Sequence, residues 1–488
     1  MATGIVGFGA YIPKYRIRKE DIARAWGGGA AGVAEKSVAD ADEDTITMAV
    51  EAGQITFTNA RIEPSAIGAL YVASVSSPYI HNSMAAIIAQ VLKIPASASL
   101  ADFGGSTKAS TEAMQACIDL IESGRVSLGM VIGTDSLLAR PGDPLEHSLG
   151  VGSAAFILGK EDVIAEWEGS HSHVSTFVHT WRSDGDRFVR EYNDPRLDRA
   201  FGYPRSITMA ANGLMEKLGI KASEFNQVVL HQPDGQLPLV AAKEIGVAPQ
   251  TLARSNLAPR IGDAGCGSVL IGLASALDGG MPSERILIVS YGSGAGSDAF
   301  SLKVVRQQDL NKDTMVPVSR LLETKEYVDY IKYGKLTGIL RAEAMPDPIS
   351  SYVTQPGWER DKRYTLGLHA SRCRKCGSLN FPKRHYCIDC RGQEFEEVSL
   401  PRRGKIISFN IQQVVSVSPE EAPIPVCTAR MDGTESERGG KISAMMTDTK
   451  PDELDIGLPV ELIFRRCGQE LGLVKYGYKF RLVKEREE

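Results

Sequence analysis

Apolar runs of strand length alternate with amphipathic helical stretches from the start of the chain to about residue 305. This alternation constrains the fold most, because repeated βα units pack as a sheet with helices on its faces. The pattern occurs before and after about residue 166, which predicts a structural duplication. The predicted strands are residues 5–10, 69–74, 128–134, 154–158, 227–230, 286–289 and 300–305, and the predicted helices are residues 45–58, 84–92, 108–122, 209–218, 237–245 and 268–277.

The sequence changes character after residue 306. A charged stretch, predicted to be helical at residues 319–333, leads into a Pro-containing segment. Short alternating strands separated by turn residues then predict a small β-barrel, at residues 404–411, 426–431, 441–446, 460–464 and 476–483. The predicted domains are two α/β halves at residues 1–165 and 166–306, a helical connector at 307–356, a cysteine-containing ribbon at 357–398 and the barrel at 399–488.

The composition is typical of a globular protein, with 43% hydrophobic and 24% charged residues and a formal net charge of -5. This charge balance gives no reason to expect a nucleic acid as partner. The N-terminus lacks the features of a signal peptide, and no apolar run has the length of a membrane span. We therefore expect a cytoplasmic protein that does not bind a membrane.

Four of the eight cysteines form two Cys-x-x-Cys pairs, Cys373 with Cys376 and Cys387 with Cys390. Two such pairs supply four thiolates for a tetrahedral Zn2+ ion. The spacing predicts a structural zinc ribbon, with iron in the same cage as the alternative. A redox function would need one pair on a thioredoxin-like unit, and a closed four-sulfur site leaves no position for catalysis. His385, between the pairs, is predicted to be a surface residue.

Polar and Gly-rich turns follow several of the predicted strands, and they contain Val75, Thr107, His231, Asp263 and Gly294. Ligands of open α/β sheets collect at the carboxyl ends of strands, where helix N-termini and exposed amides favour negative charge. Each turn alone is a weak signal, because a Gly-rich turn or a lone histidine is more often structural. Their order and spacing together indicate an active site.

In order and spacing, the turns resemble those of the 3-hydroxy-3-methylglutaryl-CoA synthase and ketosynthase III branch of the thiolase superfamily, over roughly residues 1–305. The matching segments are residues 5–13, 231–233, 261–273 and 292–298. Residues 357–488 resemble a family that pairs a rubredoxin-like zinc ribbon with an OB-fold and associates with thiolase-type enzymes.

The resemblance implies an α/β fold, a thiolase-like duplicated βαβαβ five-layer sandwich, followed by a zinc ribbon and an OB-fold barrel. It also implies an acyl-CoA substrate, with coenzyme A as part of that substrate, and a homodimer or higher oligomer.

Carrying the family's active site over to this sequence leaves two groups missing and a third altered. The family's nucleophilic cysteine is matched by Thr107, its catalytic glutamate by Val75 and its asparagine by Asp263. Only the histidine, His231, is retained. A hydroxyl needs an adjacent base to become a nucleophile, and valine carries no proton. We therefore do not expect a covalent acyl-enzyme of the family's type.

The leading hypothesis is an enzyme that makes or breaks a carbon–carbon bond of an acyl-CoA, by aldol or Claisen-type chemistry, without a covalent intermediate. Retro-aldol cleavage needs only a base on the hydroxyl and stabilisation of the thioester enolate. In this hypothesis His231 polarises the thioester carbonyl, Asp263 is the candidate base and Thr107 is a hydrogen-bonding group. The predicted catalytic residues are His231, Asp263 and Thr107, and the predicted substrate-binding residues are Gly294, Ser297 and Asp234.

Two other functions remain open. One is an acyltransferase or condensing enzyme in which Thr107 or Cys266 becomes acylated, while Cys117 lies in a predicted helix and is expected in the core. The other is a scaffold that binds acyl-CoA without reaction and presents it to a partner enzyme of the same pathway. Basic residues around the cysteine pairs either contact the phosphates of CoA or form a solvated face.

Overall fold

The computed structural model describes residues 2–192, 194–307, 316–340, 355–413, 423–434, 439–470 and 472–483. The chain divides into two compact units, Met1–Leu340 and Arg341–Glu488. Much of the connector predicted at 307–356 lies outside the described residues, and the predicted domain boundaries stay predictions. Every helix in the described ranges is too short or too polar to cross a membrane.

The first unit alternates strands and helices along the chain. Its strands are β1 (Gly4–Tyr11), β2 (Tyr15–Arg18), β3 (Glu35–Val38), β4 (Ala69–Ala73), β5 (Ser99–Phe103), β6 (Leu128–Ser136), β7 (Val151–Gly159), β8 (Ala165–His173), β9 (Thr180–Trp181), β10 (Arg190–Glu191), β11 (Gln227–Leu230), β12 (Arg285–Val289), β13 (Ser297–Val304) and β14 (Glu326–Val328). Its helices are α1 (Lys19–Trp26), α2 (Thr45–Ala60), α3 (Met84–Leu92), α4 (Ala109–Glu122), α5 (Pro195–Phe201), α6 (Tyr203–Leu218), α7 (Leu237–Ile245), α8 (Ala258–Ile261), α9 (Cys266–Asp278), α10 (Val318–Glu323) and α11 (Tyr330–Leu336).

A nine-stranded sheet, in the order β11-β12-β13-β8-β1-β7-β6-β4-β5, forms the frame of this unit. In the first half β1 is antiparallel to β7, β7 is antiparallel to β6, and β6 is parallel to β4. The second half repeats this arrangement with β8, β13, β12 and β11. The halves join where β1 pairs with β8, with Gly4 opposite Glu166. The repeat confirms the predicted duplication.

Helices form layers around the two halves of the sheet. Helices α4 and α9 contact each other in the middle, α4 against β4 and β6 and α9 against β7 and β11. Helix α2 packs on β1 and β7, and α6 packs on β8 and β13. Nearly every side chain of α9 is buried, which is typical of an apolar helix inside a core. The result is the predicted five-layer sandwich.

The prediction of one continuous helix at residues 319–333 was wrong in its middle, although both ends of the range are helical. This stretch forms α10, β14 and α11, and β14 pairs in parallel with β2. Tyr327 and Val328 are residue types that favour strands, and the edge of β2 supplies partners for their backbone. Strands β5 and β8 of this sheet were missed. Strand β5 is a half-exposed strand at the end of the sheet, and β8 is only partly buried and has a polar composition.

The second unit consists of a short three-stranded sheet and a five-stranded sheet. Its elements are α12 (Gln355–Thr365), β15 (His369–Cys373), β16 (Leu379–Asn380), β17 (Phe395–Ser399), β18 (Arg403–Gln412), β19 (Ile424–Met431), β20 (Lys441–Met445), β21 (Pro459–Glu470) and β22 (Leu473–Leu482). The larger sheet has the order β20-β19-β18-β21-β22, and a bridge between Met446 and Phe480 connects its two edges. This closure gives the predicted small barrel of the OB-fold type, with Ile406, Leu462 and Phe480 in its core.

Candidate active site and metal site

A cavity of about 540 Å³ lies in the first unit, where several strands end. Thr107 follows β5, His231 follows β11, and both line the cavity together with Val75, Asp234 and Asp263. Such a volume is in the usual range for a small-molecule site. The structure therefore brings together the three predicted catalytic residues, Asp234 and Val75.

The hydroxyl of Thr107 is held by the backbone across the cavity. It donates a hydrogen bond to the carbonyl oxygen of Tyr291 over 2.8 Å. Among the described residues, no imidazole or carboxylate hydrogen-bonds this hydroxyl. The next residue, Lys108, contacts Glu112 at 2.7 Å and Asp298 at 3.2 Å. Burial alone would lower the pKa of Lys108, but these two carboxylates raise it and keep the cation in place.

His231 and Asp263 form a buried imidazole–carboxylate pair. The Nε2 atom of His231 lies 3.3 Å from Oδ2 of Asp263, and the residues are 2% and 7% exposed. Oδ1 of Asp263 accepts a hydrogen bond from the Gly265 amide at 2.9 Å. The Tyr203 hydroxyl donates to the carbonyl oxygen of His231 at 2.5 Å, which fixes the backbone of the histidine. A pair of this kind can pass a proton to or from a bound substrate.

Asp234 lines the cavity and also caps a helix. Its Oδ1 atom accepts hydrogen bonds from the amides of Gln236 and Leu237, both at 2.7 Å, at the start of α7. Burial raises the pKa of Asp234, the two amides oppose the rise, and the charges of Asp263 and Asp198 add to it. The carboxylate therefore has a structural function whatever its contact with substrate.

Gly294 and Ser297 are not among the residues that line the cavity. The Gly294 amide donates to the carbonyl oxygen of Phe177 at 2.8 Å, and Ser297 is fully buried at the start of β13. The structure therefore places these two residues outside the cavity lining, and their contact with substrate stays a prediction. From the same turn, Ser293 reaches the cavity instead.

The two cysteines of the first unit are both buried and outside the cavity lining. Cys266 begins α9, and its thiol contacts the carbonyl oxygen of Ser106 at 3.6 Å. Burial and the nearby charge of Asp135 raise the pKa of Cys266. Burial alone raises the pKa of Cys117 to about 12. Both thiols are therefore protonated at neutral pH, a poor state for a nucleophile.

Asp135, at the end of β6, holds the valine-bearing turn in place. Its Oδ1 atom accepts hydrogen bonds from the hydroxyls of Ser74 and Ser76, both at 2.7 Å, and from the amides of Val75 and Ser76, both at 2.9 Å. Its Oδ2 atom accepts from the Cys266 amide at 2.8 Å. Burial raises the pKa of Asp135, and these hydrogen bonds oppose the rise. The sequence signal for this role was the position of Asp135, directly after the apolar strand predicted at residues 128–134.

A second histidine in the cavity was also missed. His179 lines it together with Glu191 and Asp198. The three residues lie in a segment without helical or strand periodicity. The Asp-Gly pair at residues 184–185 is a hairpin signal, and it connects β9 to β10, in which Thr180 is opposite Glu191.

In the second unit, Cys373, Cys376, Cys387 and Cys390 place their sulfur atoms within 4.8 Å of one another. The pairs Cys373–Cys390 and Cys376–Cys387 are both 3.6 Å apart. A tetrahedral zinc with Zn–S bonds of about 2.3 Å requires sulfur separations of about 3.8 Å, so the four residues fit this ion. His385 is exposed and outside the cluster, in line with the surface position expected for it.

Asn380 supports one ligand of the metal site. Its side-chain amide donates to the Cys387 sulfur at 3.7 Å and to the Ser378 carbonyl at 3.0 Å, while its oxygen accepts from the Ile388 amide at 3.0 Å. Hydrogen bonds of this kind orient ligands and stabilise thiolates.

The first unit has a thiolase-like fold. Solved structures with this fold include a hydroxymethylglutaryl-CoA synthase complexed with CoA, at 20% identity and a TM-score of 0.63, covering 73% of this chain and 96% of that one. A 3-oxoacyl-[acyl-carrier-protein] synthase III from Aquifex aeolicus shares the fold at 19% identity and a TM-score of 0.57, covering 62% of this chain and 99% of the other.

The chain belongs to the hydroxymethylglutaryl-CoA synthase family. It is 41% identical over 339 residues to the synthase of Methanocaldococcus jannaschii, covering 68% of this chain and 98% of that protein. It is 39% identical over 340 residues to the synthase of Methanopyrus kandleri, covering 68% and 97%. Residues 362–396 match the ChsH2 rubredoxin-like zinc ribbon domain. The predicted family, fold class and structural zinc are confirmed.

Proposed function

We propose that this chain makes or breaks the Cα–Cβ bond of an acyl-CoA thioester, by an aldol-type reaction without a covalent acyl-enzyme. The similarity to synthases that act on a CoA thioester supports the substrate class. The observation that carries the non-covalent mechanism is the hydrogen bond from the Thr107 hydroxyl to the Tyr291 carbonyl, at the family's nucleophile position. A hydroxyl without a base at its side is not a competent nucleophile.

The reaction needs proton transfer at two atoms of the substrate. In cleavage, the β-hydroxyl loses its proton, the Cα–Cβ bond breaks, and its electron pair moves into the thioester as an enolate. The enolate is then protonated at Cα to give the shorter acyl-CoA, while Cβ leaves as an aldehyde or ketone. In condensation the same steps run in reverse. No bond to the protein forms in either direction.

The His231–Asp263 pair is assigned to the thioester end of the substrate. When substrate binds, Nε2 of His231 donates its hydrogen bond to the thioester oxygen, where the enolate charge develops, in place of Asp263 Oδ2. Asp263 removes the Cα proton in condensation and returns it in cleavage, since this residue lines the cavity and its Oδ2 atom lies beside the imidazole. The Thr107 hydroxyl orients the turn at Tyr291 by donating to its carbonyl oxygen, and the hydroxyl oxygen can accept a hydrogen bond from the substrate.

The test is turnover of a panel of 3-hydroxyacyl-CoA thioesters with aliphatic and aromatic β-substituents, with the products identified by mass spectrometry. We expect Thr107→Val, which keeps the shape of the side chain without its hydroxyl, to retain activity within about 10-fold of the unchanged protein. We expect His231→Ala to lose about 10²- to 10⁴-fold. His385→Ala, at an exposed histidine of the zinc ribbon, is the matched control and should not change turnover.

The competing functions give different results in the same experiments. An acyltransferase would show an acyl adduct on intact protein after treatment with acetyl-CoA, and Thr107→Val or Cys266→Ala would abolish it. A scaffold would bind acyl-CoA tightly without turning over any member of the panel. The homodimer or higher oligomer implied by the resemblance stays a prediction, and light scattering of the purified protein measures it.

A further inference from the structure

The cavity contains a second histidine with two carboxylates around its ring. Nε2 of His179 lies 3.4 Å from Oε1 of Glu191, and its Nδ1 atom lies 3.9 Å from Oδ1 of Asp198. The three side chains are only 21%, 17% and 11% exposed, and all three residues line the cavity that contains His231. An imidazole between carboxylates, facing a substrate cavity, is an arrangement that transfers protons.

The fold fixes His179 close to the family's nucleophile position. The amide of His179 donates to the Ser293 hydroxyl at 2.8 Å, and its carbonyl accepts from the Tyr192 amide at 2.7 Å. Ser293 follows Tyr291, whose carbonyl oxygen accepts the hydrogen bond from Thr107. The backbone of His179 and the side chain of Thr107 are therefore anchored on the same short turn.

At the position of the family's catalytic glutamate, this cavity has an apolar side chain that cannot transfer a proton. Val75, at the position of the family's glutamate, packs in an apolar cluster with Leu137, Leu149 and Val189. Its carbonyl oxygen accepts a hydrogen bond at 2.5 Å from Arg182, in the turn of the ribbon that carries His179 and Glu191. The same ribbon that contacts the valine-bearing turn thus brings ionisable groups into the cavity.

We propose that His179, paired with Glu191 and Asp198, is the group that removes the proton from the substrate's β-hydroxyl in cleavage and returns it in condensation. This assignment rests on the proposed aldol-type function. His179 takes the hydroxyl proton as the Cα–Cβ bond breaks, and the carboxylates stabilise the imidazolium that forms. Burial alone would lower the pKa of His179, but the contact with Glu191 and the charge of Asp198 raise it, which makes the imidazole a stronger base.

The experiment separates proton transfer at the hydroxyl from proton transfer at Cα. Cleavage of the 3-hydroxyacyl-CoA panel reports on both, whereas exchange of the Cα protons of acetyl-CoA in D2O reports only on the thioester end. We expect His179→Ala to lower kcat for cleavage about 10²- to 10⁴-fold and to leave deuterium exchange within about 3-fold. Added imidazole should restore part of the cleavage. His231→Ala should lose both activities.

A second variant covers the case in which His179→Ala does not fold, as judged by its thermal melt. Glu191→Gln keeps the shape of the side chain and should lower cleavage about 10-fold or more, again without loss of exchange. The proposal is overturned if both variants cleave at the rate of the unchanged protein while His231→Ala is impaired. Loss of exchange together with cleavage in a folded variant also overturns it. If the unchanged protein neither cleaves nor exchanges, the proposed function itself fails.

Discussion

Substituting Asp135 by asparagine tests how the valine-bearing turn is held against helix α9. The carboxylate accepts hydrogen bonds from Ser74, Val75 and Ser76 at one oxygen and from Cys266 at the other. Asparagine has the same shape, but one of its ends is an NH2 donor. If this end faces α9, the Cys266 amide meets a donor, and if it faces the turn, two backbone amides do. No side-chain flip satisfies all the partners.

The cost follows from these contacts. A buried backbone N–H left without an acceptor costs about 1–3 kcal/mol, and hydrogen bonds to a charged acceptor lose about half of their strength when the charge is removed. Asparagine is neutral, so the substitution also removes the free-energy cost of burying the Asp135 charge, and this offsets part of the loss. We expect Asp135→Asn to lower the free energy of unfolding by about 2–4 kcal/mol.

Differential scanning calorimetry measures the effect. The entropy of unfolding is about 2.1 cal/mol/K per residue, so a cost of about 3 kcal/mol in a unit the size of Met1–Leu340 lowers Tm by roughly 4 °C. Ser76→Ala, which removes one of the hydroxyl donors, is the comparison and should cost about 1 kcal/mol. An unchanged or raised Tm in Asp135→Asn would refute the reasoning, because burial of the charge would then outweigh the hydrogen bonds.

Three further predictions concern other parts of the chain. Cys376→Ser removes one thiolate, so the zinc content should fall from about one ion per chain to well below that, as measured by inductively coupled plasma mass spectrometry; unchanged zinc content would contradict the four-sulfur site. Asp278 accepts a hydrogen bond from the Val318 amide at 2.7 Å, and burial raises its pKa from 3.8 to about 6 in the folded protein. The stability gained from the protonated Asp278 carboxyl is therefore present below pH 3.8 and lost as pH rises through 6. Asp278→Asn should therefore be about 1–3 kcal/mol more stable than the unchanged protein at pH 7.5 and equal to it at pH 4, and melts with the same difference at both pH values would count against this. Gly150→Ala would place a methyl group 1.9 Å from the Ile261 carbonyl oxygen and should cost at least about 2 kcal/mol, seen as a lower Tm; a melt equal to that of the unchanged protein would show that the backbone yields freely.

Much of the architecture could be predicted because it depends on local patterns. The periodicity of apolar residues predicted most of the strands and helices of the sandwich, except β5 and β8, and the strands of the barrel. Each predicted element buries one side or all of its surface. The four cysteines were found from spacing alone, because a tetrahedral metal site built from two short turns needs little long-range information. The order of the polar turns was enough to predict the family and to bring Thr107, His231 and Asp263 to one place.

Contacts between distant segments could not be predicted in this way. The sequence pattern made the Gly294 amide a candidate donor to the substrate, but in the fold it is used by the Phe177 carbonyl. The strand at residues 326–328 also depended on an available edge of β2, more than 300 residues earlier in the chain. In both cases the competing partner comes from a remote part of the sequence.

The sequence by itself determined the chemical types available, including the hydroxyl of Thr107, the imidazole of His231 and the thiolates for zinc. Only the tertiary structure decided which of these groups meet. His179, Glu191 and Asp198 show no periodicity that links them, and they converge because a short ribbon and the start of α5 fold over the same cavity. The physical reason is that periodicity reports which side of an element is buried, whereas an active site depends on distances between elements.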